Sequence, residues 1–211
     1  MENNSKLKYL ITGFILYLAV PLLYMVFGNF EGRTILKEFL SLITVAAFYL
    51  MLSQFYLSRV NIVNIKGHKY SKVVKLHKII GYIAIALILL HPIFIVLPKY
   101  LEASLDPKDA FILMITNFDS RGIILGLIAL FLMIVIAITS ILRKKMKLKY
   151  TTWRKMHGFL SLSFVILATF HAVDLGRHMD AFLSNYTIVM ASIGIVFLIR
   201  LYFFDQPSKE K

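Results

Sequence analysis

The sequence predicts an all-α integral membrane protein, a bundle of six transmembrane helices with both termini on the cytoplasmic side. Of the 211 residues, 59% are hydrophobic, which is more apolar surface than a soluble domain of this size can bury. Several apolar runs exceed the roughly 18 residues that indicate a membrane span. The expected spans are residues 9–28, 35–58, 78–98, 121–142, 157–174 and 186–204.

Each run reads as a spanning helix because only helices satisfy all backbone polar groups inside such a segment. The first is interpreted as a retained helix, since no A-x-A cleavage site follows it. The second, fourth and sixth are plain apolar runs, whereas the third and fifth each follow a basic loop and carry histidines. The longest connection, 99–120, contains the apolar stretch Ala110–Ile115, which predicts a short helix at the membrane surface.

The basic residues are distributed unevenly across these spans. The formal net charge is +13, and six spans place most of the Lys and Arg in loops 59–77 and 143–156 and near the two termini. An excess of basic residues in short loops marks the cytoplasmic face. The charge therefore indicates membrane topology rather than nucleic-acid binding. We expect one domain, residues 1–211, in the cell membrane, with its termini inside.

The absence of cysteine restricts the cofactors that the protein can hold. No disulfide, thiolate metal site, iron–sulfur cluster or covalent c-type heme can form in a chain without cysteine. Any heme must therefore be bound through noncovalent protein contacts and axial ligands other than thiolate.

Two histidine pairs have the same spacing. His77 and His91 lie fourteen positions apart in the third span, and His157 and His171 lie fourteen apart at the fifth. In an α-helix, fourteen residues separate two side chains by about 40° around the axis and roughly 21 Å along it. Each pair therefore shares one helix face, with one imidazole near each membrane surface. Polar groups inside a bilayer are costly and usually functional.

The third and fifth spans run in the same direction, so His77 is expected at the depth of His157, and His91 at the depth of His171. Two imidazoles at each depth are the ligand set of a six-coordinate b heme, whereas a structural zinc ion requires four ligands. A bis-histidine iron has no open position and suits electron transfer. Arg177 and His178, just beyond the outer ligands, are candidates to contact a heme propionate or an external acceptor.

The chain resembles the ferric reductase-like transmembrane domain family, which includes ferric reductases, NADPH oxidases and stand-alone heme b subunits such as the membrane subunit of the periplasmic methionine sulfoxide reductase system. The resemblance covers most of 35–204 and rests on two segments, HKIIGYIAIALILLHP and RKKMKLKYTTWRKMHGFLSLSFVILATFH. It implies that His77 and His157 ligate an inner heme b and that His91 and His171 ligate an outer one.

The resemblance also implies what the chain would work with. Its larger members carry a cytoplasmic flavin and nicotinamide domain, but this sequence ends at Lys211 and contains no Gly-rich dinucleotide fingerprint. We therefore expect the heme-binding electron-transfer subunit of an oxidoreductase. Its donor would be a cytoplasmic flavoprotein or quinol, and its acceptor an external molecule or partner reductase. A bound flavin such as FMN, or a quinone, is a further candidate cofactor.

Three alternatives stay open at this stage. A quinol- or ascorbate-linked cytochrome b would use the same hemes with different partners. A heme-free transporter would use the histidines as a proton relay, and its purified protein would lack a b-type absorption spectrum. A membrane scaffold would keep its function after replacement of the outer histidines. The sequence names neither the donor nor the acceptor.

Overall fold

The computed structural model describes residues 8, 11–28, 30–63, 70–118 and 120–203, and among these only helices and connecting segments occur. The first helix, α1, covers Ile11–Phe27 and includes a π-helical stretch, Ile15–Ala19. The others are α2 (Ile35–Val63), α3 (Tyr70–Ala103), α4 (Pro107–Thr116), α5 (Arg121–Ile141), α6 (Tyr150–Leu175) and α7 (Ala181–Phe203).

The protein is a multi-pass membrane protein. Five of the helices, α2, α3, α5, α6 and α7, contain segments long and apolar enough to cross a bilayer. The predicted first span, residues 9–28, corresponds to α1, which is apolar but shorter than the other five. Both chain ends, 1–7 and 204–211, lie outside the described residues, so their expected cytoplasmic location stays a prediction.

Three helices begin before the membrane spans predicted for them. Helix α3 starts at Tyr70 instead of residue 78, α6 at Tyr150 instead of 157, and α7 at Ala181 instead of 186. Apolar runs mark the hydrocarbon-facing part of a helix, and helical hydrogen bonding continues beyond it into polar sequence. The start of α7 has a local cause, because the Asp180 carboxylate accepts a hydrogen bond from the Leu183 amide at 2.9 Å.

The connection between α3 and α5 contains the short helix that the sequence predicted. Helix α4 is somewhat longer than Ala110–Ile115, because Asp106 caps its first turn by accepting a hydrogen bond from the Lys108 amide at 2.8 Å. Before this connection, α3 continues through Pro92 and Pro98. The interfacial position of α4 in the membrane stays a prediction.

The bundle is built from two closely packed helix pairs. Helix α2 lies along α3, and α5 lies along α6, while α7 packs against both α2 and α6. Large side chains such as Tyr49, Leu52 and Met133 fill the core. Tyr49 meets Thr187 of α7 through a hydroxyl–hydroxyl hydrogen bond of 2.6 Å. The two histidine-bearing helices, α3 and α6, therefore belong to different pairs.

The positions of α4 and of the α5–α6 connection predict opposite labelling of two introduced cysteines. Lys108 lies in α4, and Lys147 lies between α5 and α6, with the membrane-spanning length of α5 between them. Both lysines are exposed, and the chain has no native cysteine. We expect a membrane-impermeant maleimide to label Lys108→Cys and Lys147→Cys from opposite sides of sealed vesicles. Labelling of both from one side would contradict this arrangement.

Candidate functional site

The structure brings His91 of α3 and His171 of α6 together. Their imidazole centroids lie 6.3 Å apart, and the ring planes are inclined by 75°. A metal–imidazole bond of about 2 Å, the length found at zinc sites, would put two rings bound on opposite sides of one ion roughly 6 Å apart. The spacing of these rings therefore fits one metal ion held between two imidazoles.

The His171 ring is oriented by the backbone of α5. Its Nδ1 lies 2.8 Å from the Gly122 carbonyl oxygen, and a carbonyl can only accept, so Nδ1 carries the proton. The neutral ring then keeps a lone pair on Nε2. Ligand histidines usually donate their second ring N–H to a carbonyl or carboxylate, which determines both tautomer and orientation.

The His91 ring has a comparable neighbour on α2. The Thr44 hydroxyl donates its hydrogen to the Leu40 carbonyl at 2.9 Å, so it can only accept from His91 Nδ1, which lies 3.4 Å away. This contact is at the long end for a hydrogen bond. It assigns the Nδ1 proton and leaves Nε2 free, as at His171.

Two glycines of α5 allow the His171 ring to lie where it does. Gly122 supplies the carbonyl, and a Cβ built at Gly126, one turn later, would lie 2.6 Å from His171 Cε1. The sequence analysis did not identify either residue. Their G-x-x-x-G spacing in an apolar run was the available signal, because small residues four apart allow close helix approach in membranes.

The inner histidines also lie on α3 and α6, but their relative geometry is less completely defined. His77 and His157 are close enough to interact electrostatically. His157 Nδ1 lies 3.4 Å from the Ser140 hydroxyl of α5, and the Trp153 ring stacks on the imidazole. Among the described residues, His77 Nδ1 has no hydrogen-bond partner although it is buried. An orphaned polar atom of this kind is costly in the interior.

A cleft of about 680 Å³ opens beside the outer histidines. Its volume falls within the roughly 300–1,000 Å³ of small-molecule and cofactor pockets. His91 and His171 line it, and apolar side chains such as Phe48, Phe94 and Phe164 form most of its wall. Two imidazoles in a mostly apolar cleft are a donor set that fits a flat, mostly apolar metal macrocycle.

Basic side chains surround the same cleft at the end where the predicted outer loops meet. These are Arg33, Lys37, Lys99, Arg177 and His178. Most of them pair with acids, since Arg33 Nε lies 3.1 Å from Glu38 Oε1, and Lys37 Nζ lies 2.5 Å from Glu102 Oε2. The cleft therefore combines an apolar interior with charges able to meet anionic groups.

Arg177 and His178, expected at an acceptor or propionate site, both line this cleft. Arg177 is 44% exposed and contacts the exposed Glu31 at 3.4 Å, an arrangement worth only about 0–1 kcal/mol. His178 is buried and lies 3.0 Å from Glu38 Oε2. Burial lowers the pKa of His178, and the Glu38 carboxylate partly opposes this. Arg177 is therefore the more exposed of the two and the better able to contact a bound ligand.

The six site residues predicted from the sequence divide into two groups. His91, His171, Arg177 and His178 all line the outer cleft. His77 and His157 form the second, inner pair. Within the described ranges, no three His, Cys, Asp or Glu side chains group together as metal ligands. Thr44, Ser140 and the two α5 glycines were not predicted as site residues, because each contacts a histidine far away in sequence.

Comparison with known proteins gives two findings. Residues 43–168 match the family described as ferric reductase like transmembrane component, a segment that includes three of the four histidines and ends just before His171. A relative from Archaeoglobus fulgidus, described as an uncharacterized protein, is 38% identical over 169 residues, which cover 80% of this chain and 91% of the relative. No solved structure matches significantly.

The close approach of α5 to His171 predicts a severe effect of one added methyl group. Gly126→Ala should push the imidazole from its position, with a packing cost of about 1–3 kcal/mol. We expect the midpoint of thermal unfolding in detergent to fall by several degrees. Gly32→Ala is the matched control, because a Cβ there meets nothing within 4 Å. Equal midpoints for the two variants would contradict the close contact at Gly126.

Proposed function

Because the chain belongs to the ferric reductase like transmembrane component family, we propose that it carries electrons across the cell membrane through two b hemes. Membership of this family suggests transmembrane electron transfer. The number of hemes, their ligands and the direction of transfer are our proposal. One observation carries it, namely that His91 and His171 face each other at the spacing of two axial ligands beside an apolar cleft.

Two histidines would hold each of the two hemes. His91 and His171 would ligate the outer heme, and His77 and His157 the inner one. Gly122 and Thr44 hold the Nδ1 side of the outer imidazoles, so that Nε2 is directed away from these partners. When bound, the hemes supply reversible one-electron chemistry at iron.

The surroundings of His91 and His171 suit a heme, which is mostly apolar but carries two anionic propionates. The wall of the cleft is mostly apolar, and a low dielectric would strengthen the electrostatic interactions of a cofactor that fills it. Arg33 and Arg177 line the cleft, and they would neutralise heme propionates or an anionic acceptor bound there. Glu38, already paired with Arg33 and His178, limits the net positive charge at this end.

The two faces of the membrane would serve different partners. Segment 143–155 is rich in Lys and Arg, which favours a cytoplasmic location for it. We propose that a cytoplasmic flavoprotein or quinol donates electrons there, and that an external acceptor receives them beside Arg177. Basic loops raise the encounter rate with an acidic donor protein. The chain would then act as the membrane subunit of an oxidoreductase.

The heme content of histidine variants tests this proposal. We expect the purified protein to contain two b hemes per chain in a pyridine hemochromogen assay. Replacing either member of a pair, as in His91→Ala or His171→Ala, should remove one heme and leave the other. His77→Ala and His157→Ala should remove the second heme instead, because each iron needs both of its imidazoles.

His178→Ala is the control for this series, since His178 also lines the cleft but pairs with Glu38 rather than with another histidine. It should retain both hemes. A colourless wild-type protein from cells supplied with heme precursor would refute the proposal and favour the histidine proton relay. Loss of both hemes in His178→Ala, with the fold retained, would refute the ligand assignment.

The exposure of Arg177 predicts that the rate of electron transfer to an external acceptor depends on the charge of that acceptor. Arg177→Gln should slow reoxidation of the reduced protein by an anionic ferric chelate about 2- to 10-fold at low salt, because steering by opposite charge is lost. Reoxidation by a neutral acceptor should change little. Stopped-flow absorbance at low and at high ionic strength measures this, with Arg177→Lys as the charge-retaining control. Equal slowing with neutral and anionic acceptors would contradict electrostatic steering.

A further inference from the structure

The inner end of α6 carries a column of aromatic rings that ends on His157. Tyr150 and Trp153 stack with centroids 6.0 Å apart, and Trp153 and His157 stack with centroids 5.0 Å apart, each pair inclined by 21°. Spacings of three and four residues place all three rings on one helix face. The Arg143 guanidinium lies over both Tyr150 and Trp153, at 4.4 and 4.9 Å from their centroids.

The last turn of α5 holds the middle of this column. The Trp153 Nε1–H donates to the Thr139 carbonyl oxygen at 3.1 Å. Because α5 ends at Ile141, that carbonyl is among the last four of the helix, which lack an intrahelical amide donor. The hydrogen bond therefore satisfies both an indole N–H and an end-of-helix carbonyl, and it ties the Trp153 ring to α5.

The two α6 histidines are restrained by different means. His171 has a 2.8 Å hydrogen bond to a rigid backbone carbonyl. Within the described part of the chain, the hydrogen-bonding contact of the His157 ring is the 3.4 Å one with the Ser140 hydroxyl, which is long for a hydrogen bond. The χ2 torsion of histidine is broad and weakly restricted by itself. The nearly parallel indole surface is therefore the main restraint on rotation of the His157 ring.

We propose that Trp153 is a positioning residue that determines the rotation of the His157 imidazole and, through it, the electronic state of the inner iron. This inference rests on the proposed function, because it presumes that His157 is an axial ligand. The residues around a ligand orient it and tune the metal. Trp153 restrains the rotation of the His157 ring as the Gly122 carbonyl restrains that of His171, with a ring surface in place of a backbone acceptor.

Low-spin ferric EPR spectra test this role, because their g-values depend on the orientation of the axial imidazoles. The inner-heme signal is assigned as the one lost in His157→Ala. In Trp153→Leu, which removes the ring and its N–H, we expect that signal to shift and broaden while the outer signal stays. At a fixed applied potential, the ratio of reduced to oxidised inner heme should change threefold or more.

Trp153→Phe should restore much of the wild-type inner signal, because it retains a flat surface against the imidazole. Phe170→Leu is the matched control, since Phe170 is an aromatic residue of α6 that is 60% exposed; both signals should stay unchanged in it. If Trp153→Leu lowers heme retention, Trp153→Phe still tests the stacking surface.

If the wild type contains two hemes, two outcomes would overturn the inference about Trp153 without affecting the proposed function. One is an unchanged inner signal in Trp153→Leu, and the other is a Trp153→Phe signal as perturbed as that of Trp153→Leu. A wild-type protein without heme would instead overturn the proposed function, and the positioning role of Trp153 with it. Heme stoichiometry and the inner-signal shift therefore separate the two failures.

Discussion

The hydrogen bond between His171 Nδ1 and the Gly122 carbonyl is the interaction on which the outer site depends. It can form only because α5 and α6 approach closely, and Gly126 allows this approach by having no side chain against the imidazole. A polar ring among apolar side chains needs such a partner, since a buried N–H without an acceptor is costly. The bond also assigns the proton to Nδ1, so that the same contact that stabilises the helix pair leaves Nε2 able to bind metal.

The inner and outer sites are built from the same residue types but are held differently. At the outer site a backbone carbonyl and the Thr44 hydroxyl meet the two Nδ1 atoms, and the apolar cleft ends among basic side chains. At the inner site a long contact with Ser140 and the surface of Trp153 hold His157. Helix α5 contributes to both sites, with Gly122 near one end and Ser140 near the other. Its packing against α6 therefore orients both imidazoles of that helix, His157 and His171, which lie fourteen residues and roughly 21 Å apart along it.

Much of this arrangement could be predicted from local sequence. Long apolar runs indicated spanning helices, and the apolar stretch after Pro107 indicated α4. The helix starts were predicted less well, because α3 and α6 continue into polar sequence where hydrophobicity carries no signal. The contacts of Thr44 with His91 and of Ser140 with His157 could not be predicted, since each joins side chains on separate helices. Of the basic residues that line the cleft, Arg177 and His178 were predicted as site residues, whereas Arg33, just before α2, and Lys37, in its first turn, were not.

The sequence by itself determined that the chain enters a membrane and that each histidine pair lies on one helix face. Both follow from local quantities, namely hydrophobicity and the 100° rotation per helical residue. The tertiary structure alone decided which rings meet, which nitrogen of His171 carries the proton, and which aromatic ring restrains His157. Those features depend on the distance and rotation between α2, α3, α5 and α6, and such packing is set by small residues and side-chain fit across helices rather than by any single segment.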